Sequence, residues 1–149
     1  MFDPSQFLEQ QTSEANDTKL IPVPVGEYTA IVEKVDARQW RKKDDPSISG
    51  IALDIIWELD DPAVKSLLGR DKVTVKQGIM LDISDAGGLD MGKGKNIGLG
   101  KLREATNLNE PGRPFAFSML VGRAAKIRVE HRIDGENIFA DVKAVTKLG

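Results

Sequence analysis

The sequence contains no cysteine. That excludes a disulfide framework, a thiolate nucleophile and a cysteine-based zinc site, and it fits a reducing cytoplasm, the compartment expected here. Long hydrophobic runs are missing as well. No stretch approaches the ~20 apolar residues of a membrane span, and the N-terminus lacks the basic-then-apolar order of a secretion signal. No membrane partner is therefore expected. Internal repeats and low-complexity tracts are absent. So is any excess of one charge: the net charge is −2, and nothing global announces a polyanionic partner.

What is present is an ordinary globular composition, 40% hydrophobic and 30% charged, in 149 residues. This is enough for one domain with a buried core and a tail. The charge is unevenly spread. Residues 1–20 hold Asp3, Glu9, Glu14 and Asp17 against Lys19 alone, a net of −3 that leaves +1 on the other 129. They read as a flexible acidic tail with one sticky segment at Phe2, Phe7 and Leu8, and residues 21–149 as the folded domain. Within that domain cations bunch at 38–43, 93–103 and 123–132.

Beyond the stiff "IPVPVGEY", whose prolines fix φ and cannot donate to a ladder, the chain reads as strands. "EYTAIVEKV" is the first. "IALDIIWEL" alternates, with Ile51, Leu53, Ile55, Trp57 and Leu59 on one face and Ala52, Asp54, Ile56 and Glu58 on the other. "DDPAVKSLLG" is a short helix, with Asp61 as N-cap, Pro62 at its first position and Gly69 closing it. "DKVTVKQGIMLDI" alternates again, setting Val73, Val75, Ile79 and Leu81 opposite Lys72, Thr74 and Lys76. A glycine-rich loop leads to a helix of about 96–107, capped by Asn96, with Leu99, Leu102, Ala105 and Thr106 on one face. "PGRPFAFSMLVG" gives a helical turn opened by Pro114 and ended by Gly122. The last strands, "RAAKIRVEHRI" and "ENIFADVKAV", flank Asp134-Gly135, a strong hairpin signal. With that turn, Val129 faces Ala140, Ile127 faces Val142 and Ala125 faces Ala144. On the other side Arg128 meets Asp141, Lys126 meets Lys143, and Glu130 meets Phe139.

The order β-β-β-α-β-β is that of a mainly β, five-stranded oligonucleotide/oligosaccharide-binding barrel, the OB-fold, with a short extra helix between strands two and three. In such barrels ligands cross strands two and three and the loops joining strands one–two and four–five. "RQWRKK" falls on the one–two loop. It surrounds Trp40 with Arg38, Arg41, Lys42 and Lys43, cations for phosphates and a ring face on which any base stacks. The competing reading folds Trp40 back on the barrel and leaves the cations solvated, and Asp44 and Asp45 count for it. Phe139 points away from the core among Lys126, Arg128, Arg132 and Lys143. It is either a second stacking platform or packed beneath the N-terminal tail or another subunit. Lys72 and Lys76 share the outer face of strand three, where Asp54 and Glu58 can pair with them.

Other chemistry finds little footing. "GGLDMGKG" matches G-x-x-x-x-G-K through Gly87, Gly92 and Lys93, but Gly94 stands where a magnesium-binding Ser or Thr belongs. A solvated linker, or a basic loop of Lys93, Lys95 and Lys101, is the better reading. His131 falls on the apolar face near the barrel rim, as a structural histidine does. Asp82, Asp85 and Asp90 match no calcium loop. No metal or cofactor, and no enzymatic activity, is expected.

The runs "VPVGEYTAIVEKVDA", "GIALDIIWEL", "GLGKLREATNL", "PFAFSMLVGRAAKIRVEHR" and "IFADVKAV" resemble small bacteriophage-encoded single-stranded-DNA-binding proteins over roughly residues 22–146. The shared features are the G-x-Y-x-A-x-V opening, the leucine-rich helix and L-V-G-[KR] before the last hairpin. The resemblance implies an OB-fold that coats single-stranded DNA, with little sequence preference, during phage replication or recombination. It also implies recruitment of phage or host replication and recombination proteins. The usual acidic C-terminal tail is replaced here by "DVKAVTKLG", so residues 1–20 are the segment left for that role. A homo-oligomer, and a virion or assembly module using the barrel for protein contacts, are the alternatives carried forward.

Overall fold

Period-two alternation builds the wall of the molecule, and the computed structural model describes it over residues 1–148; Gly149, the last residue of the expected domain, lies outside the described residues. The strands are β1 (Gly26–Arg41), β2 (Ser49–Leu59), β3 (Thr74–Leu81), β4 (Ala124–Asp134) and β5 (Asn137–Thr146). They close into a barrel in the order β1-β2-β3-β5-β4. Every neighbouring pair is antiparallel except β3 with β5, which meet in parallel at Lys76 and Asp141. The expected OB-type barrel is therefore the fold observed.

Inward-facing residues of the alternating strands make the core. Trp57, Leu53, Ile55 and Leu59 from β2 meet Ala30 and Val32 from β1, Val75 and Ile79 from β3, and Ala125, Ile127 and Val129 from β4. Helix α3 (Ile97–Ala105) adds Leu99, Leu102 and Ala105 to the same cluster, and a 3₁₀ turn (Phe117–Leu120) adds Leu120. Burying a leucine such as Leu102 is worth about 1.5–3 kcal/mol. Helix α2 (Pro62–Leu68) forms as its sequence dictates. Asp61 accepts from the N–H groups of Ala63 and Val64 at 3.0 and 3.2 Å, and Gly69 ends the helix at φ +65°.

Several elements differ from expectation for identifiable reasons. β1 does not stop near Val35 but runs to Arg41, pairing with β2 as far as Ser49 and with β4 from Gly26 to Ile31. An irregularity between Val32 and Lys34 bends it so that one strand serves both neighbours. Asn96 stands at the N-cap of α3, but its side chain makes no capping bond. At φ +53° it clamps the preceding loop instead, with Oδ1 accepting from the Asp82 N–H, its own N–H donating to the Asp82 carboxylate, and Nδ2 donating to the Asp82 and Asp90 carbonyls at 2.9 and 3.1 Å. The turn expected at Pro114 opens instead after Ala116. The hairpin loop is Gly135-Glu136, with Asp134 opposite Asn137 and Gly135 at φ +63°, the first-position glycine that a II′ hairpin favours. Val129 consequently faces Val142, and Arg132, not Glu130, faces Phe139. Lys143 is the extra residue of a bulge, so Val145 rather than Ala144 joins Ile127 on the inner side.

Ahead of the barrel, residues 1–21 are exposed throughout. They are not without regular structure: Pro4–Leu8 forms the short helix α1, capped by Asp3. Val23 is buried, and its carbonyl accepts from His131 Nε2 at 2.7 Å, giving the sole histidine the structural place expected.

Candidate nucleic-acid interface

Trp40 lies on strand β1, not on the loop joining it to β2, which spans residues 42–48. Its cross-strand partner is Gly50, and the Cε2 side of the indole leans over that glycine. A Cβ at position 50 would come within 2.6–2.8 Å of Cζ2, Cε2 and Nε1. The ring is half-buried on the outer face of the barrel. Its Nε1 is shielded from solvent and has no hydrogen-bond partner among the described residues. Trp40 thus folds back on the barrel wall, as the competing reading had it, but it keeps part of its surface open to solvent.

Beyond Trp40 come Arg41 at the end of β1 and Lys42 and Lys43 in the turn, all exposed. Arg41 Nη1 reaches only the Pro46 carbonyl, at 3.4 Å. Asp45 turns its carboxylate onto the N–H and hydroxyl of Ser47, which holds the turn rather than neutralising a lysine. Among the described residues none of these three cations has an acidic partner.

Most of the remaining cations along the barrel wall are committed to acids. Arg38 forks onto Asp54 at 2.9 and 3.5 Å, and Lys76 approaches the same carboxylate at 3.7 Å. Asp54 is almost covered, and the Arg38 hydrogen bonds hold its carboxyl below the ordinary aspartate range against the opposing effect of burial. The same bonds raise Arg38 further. Lys72 pairs with Glu33 rather than with β2, and that bond pushes its ammonium pKa up. Lys126 lies 3.8 Å from Glu27, Arg128 lies 3.6 Å from Glu130, and Arg132 lies 2.8 Å from Asp141. Lys126, Arg128 and Arg132 do share the outer face of β4, but the carboxylates of Glu27, Glu130 and Asp141 pair with them, and Lys143 is set apart in the β5 bulge.

Phe139 sits at the other end of the outer face. The parallel contact of Lys76 with Asp141 puts the β4–β5 hairpin beyond the start of β3, whereas Ile51 with Leu81 puts Trp40 beside its end. The Phe139 ring is 41% exposed, and the Arg132 guanidinium lies 4.7 Å from its centroid. Thr18, Lys19, Leu20 and Pro22 of the N-terminal segment line a cleft of about 480 Å³ with Ile138 and Phe139 but leave the ring exposed.

The loop carrying G-x-x-x-x-G-K is tied by an Ile83–Leu89 bridge and the Asp82–Asn96 clamp. Asp90 spends one oxygen on the Gly92 N–H at 2.8 Å. Among the described residues no three metal-ligating side chains come together, and no helix is long and apolar enough to cross a membrane. Sequence reasoning missed Gly50 and the central role of Asp54. The signal for Gly50 was a glycine at the start of the alternating strand that follows the tryptophan-bearing segment across a turn. No family model matches the chain, and no curated protein matches it.

Proposed function

We propose that this chain is a non-enzymatic single-stranded-DNA-binding protein of the bacteriophage type, coating DNA in the host cytoplasm during replication or recombination. The observation that carries the reading is an indole on the outer barrel face, part open to solvent, beside three exposed cations with no acidic partner among the described residues. A base stacks on Trp40, while Arg41, Lys42 and Lys43 neutralise phosphates. Arg38, Lys72, Lys76, Lys126, Arg128 and Arg132 contribute less, because DNA must first compete with their carboxylates. Phe139 and Lys143 form a weaker second contact. The exposed segment 1–20, with Phe2 and Phe7 rings 5.6 Å apart, is the site for replication or recombination proteins.

Titrating labelled oligo-dT at several salt concentrations tests the reading. Three neutralised phosphates predict a log–log slope of about −2, accompanied by quenching of tryptophan emission. Substituting Arg41, Lys42 and Lys43 together with alanine flattens that slope. No binding at low salt would exclude the proposal. It would favour a virion or assembly module, a reading that the exposed Ile133 and Ile138 of the hairpin independently support.

A further inference from the structure

We infer that Gly50 is a positioning residue that seats Trp40 so that the ring offers ligand only carbon surface, making stacking at this site indifferent to base identity. The inference rests on the nucleic-acid reading above and adds to it the residue that sets the platform and the kind of selectivity it can have.

Nothing in its own backbone calls for glycine at position 50, since Gly50 is not among the residues with positive φ. It is not a turn residue either: it lies within β2, paired with Trp40. What distinguishes the position is the indole above it. A methyl group there would stand 2.6–2.8 Å from three ring atoms, a separation that real Cβ contacts do not sustain, so any other residue displaces the ring. Glycine at 50 is explained by Trp40, and the resting orientation of Trp40 is explained by glycine at 50.

The seat has a chemical consequence. Nε1 is the only polar atom of the indole, and it is covered and unpartnered among the described residues. A buried N–H without an acceptor is costly, and this barrel can supply one: Trp57 Nε1 donates to Gln77 Oε1 at 2.8 Å. At Trp40 the donor is hidden instead. A ring that shows no donor cannot read a base edge by hydrogen bonding, but it can stack any base, because every base has a π-face.

The test measures anisotropy of fluorescein-labelled oligo-dT, oligo-dC and oligo-dA with wild type, W40A, W40F, G50A and the G50A/W40A double variant. Tryptophan emission spectra and thermal melts of the free proteins accompany it. W40A should weaken binding by about 5- to 150-fold, and G50A should weaken it comparably. G50A should cost nothing further in the W40A background, which separates positioning through Trp40 from a general structural role. W40F should bind close to wild type, and the three oligonucleotides should bind alike. G50A should shift tryptophan emission to the red as the ring leaves its seat. Additive losses from G50A and W40A, or unchanged G50A binding and emission, would overturn the positioning role. A W40F loss as large as that of W40A, or strong discrimination among the oligonucleotides that W40A abolishes, would overturn the hidden-donor argument; neither needs G50A to fold. Failure of wild type to bind any oligonucleotide defeats the proposed function and the recognition half of the inference, while the emission shift still decides the seating of the ring.

Discussion

Trp57 points into the barrel from β2, fully buried, with its N–H held by Gln77 at 2.8 Å; Trp40 lies on the outer face of β1, half-buried over Gly50, with its N–H covered and unpartnered. Both rings are on adjacent strands of the same sheet, so the difference is one of face. The inner ring is packed by leucines, isoleucines and valines and has every polar atom satisfied, which is what stability demands. The outer ring leans over Gly50, keeps part of its surface open and leaves its N–H without a partner among the described residues. Its neighbours at the end of β1 and in the following turn, Arg41, Lys42 and Lys43, have no acidic partner among the described residues, and this is the contrast on which the proposed binding role rests.

The largest expected effect separates the two rings by stability. Trp57→Ala should lower the unfolding free energy by about 3–5 kcal/mol in urea denaturation, while Trp40→Ala changes it far less. Equal losses would make Trp40 a core residue and erase the contrast. Trp40→Ala should instead remove about 1–3 kcal/mol of oligo-dT affinity, measured by anisotropy. Gln77→Leu should cost about 1–3 kcal/mol of stability, because it strands the buried Trp57 N–H. Trp40→Phe, which deletes an N–H that already lacks a partner, should cost little in the same melts.

Smaller effects concern the charges between the two ends of the outer face. Asp54→Asn should destabilise by about 1 kcal/mol, since Arg38 is half exposed and its attraction is screened by water. The sign follows from the lowered Asp54 pKa. Its contribution is complete above the ordinary aspartate value of ~3.9 and is lost as pH falls through the lowered folded value. Wild type should therefore lose this increment on acidification, and Asp54→Asn should not. Smallest of all, Phe139→Ala should change oligo-dT affinity by less than about fivefold, because Arg132 already lies over that ring. A loss matching Trp40→Ala would make the hairpin an equal partner in binding.

Much of the architecture was legible because it is written in short-range patterns. The alternation of β2, the capping of α2 by Asp61 and Gly69, and the apolar face Leu99-Leu102-Ala105 each depend on neighbours within a few residues. The candidate site was legible only as a list of residue types. "RQWRKK" announced an aromatic among cations, and so did the surroundings of Phe139, yet the two sites differ. At Phe139 the nearby Arg132 is bound to Asp141 and covers the ring, whereas Arg41, Lys42 and Lys43 have no acidic partner among the described residues. Asn96 misled for the same reason: as a cap its side chain would act locally, but it bonds across the loop to Asp82.

By itself, then, the sequence determined which segments are strands, which face of each is apolar, and that five strands and one intervening helix suit a small closed barrel. Those properties follow from side-chain period and turn chemistry, which need no distant partner. Only the tertiary structure decided how far β1 extends, where the hairpin register falls, which cations meet acids, and that Gly50 lies under Trp40. The physical reason is that register is a non-local choice. A single bulged residue, as between Val32 and Lys34 or at Lys143, shifts every later pairing, and with it which charges and rings come to share a face.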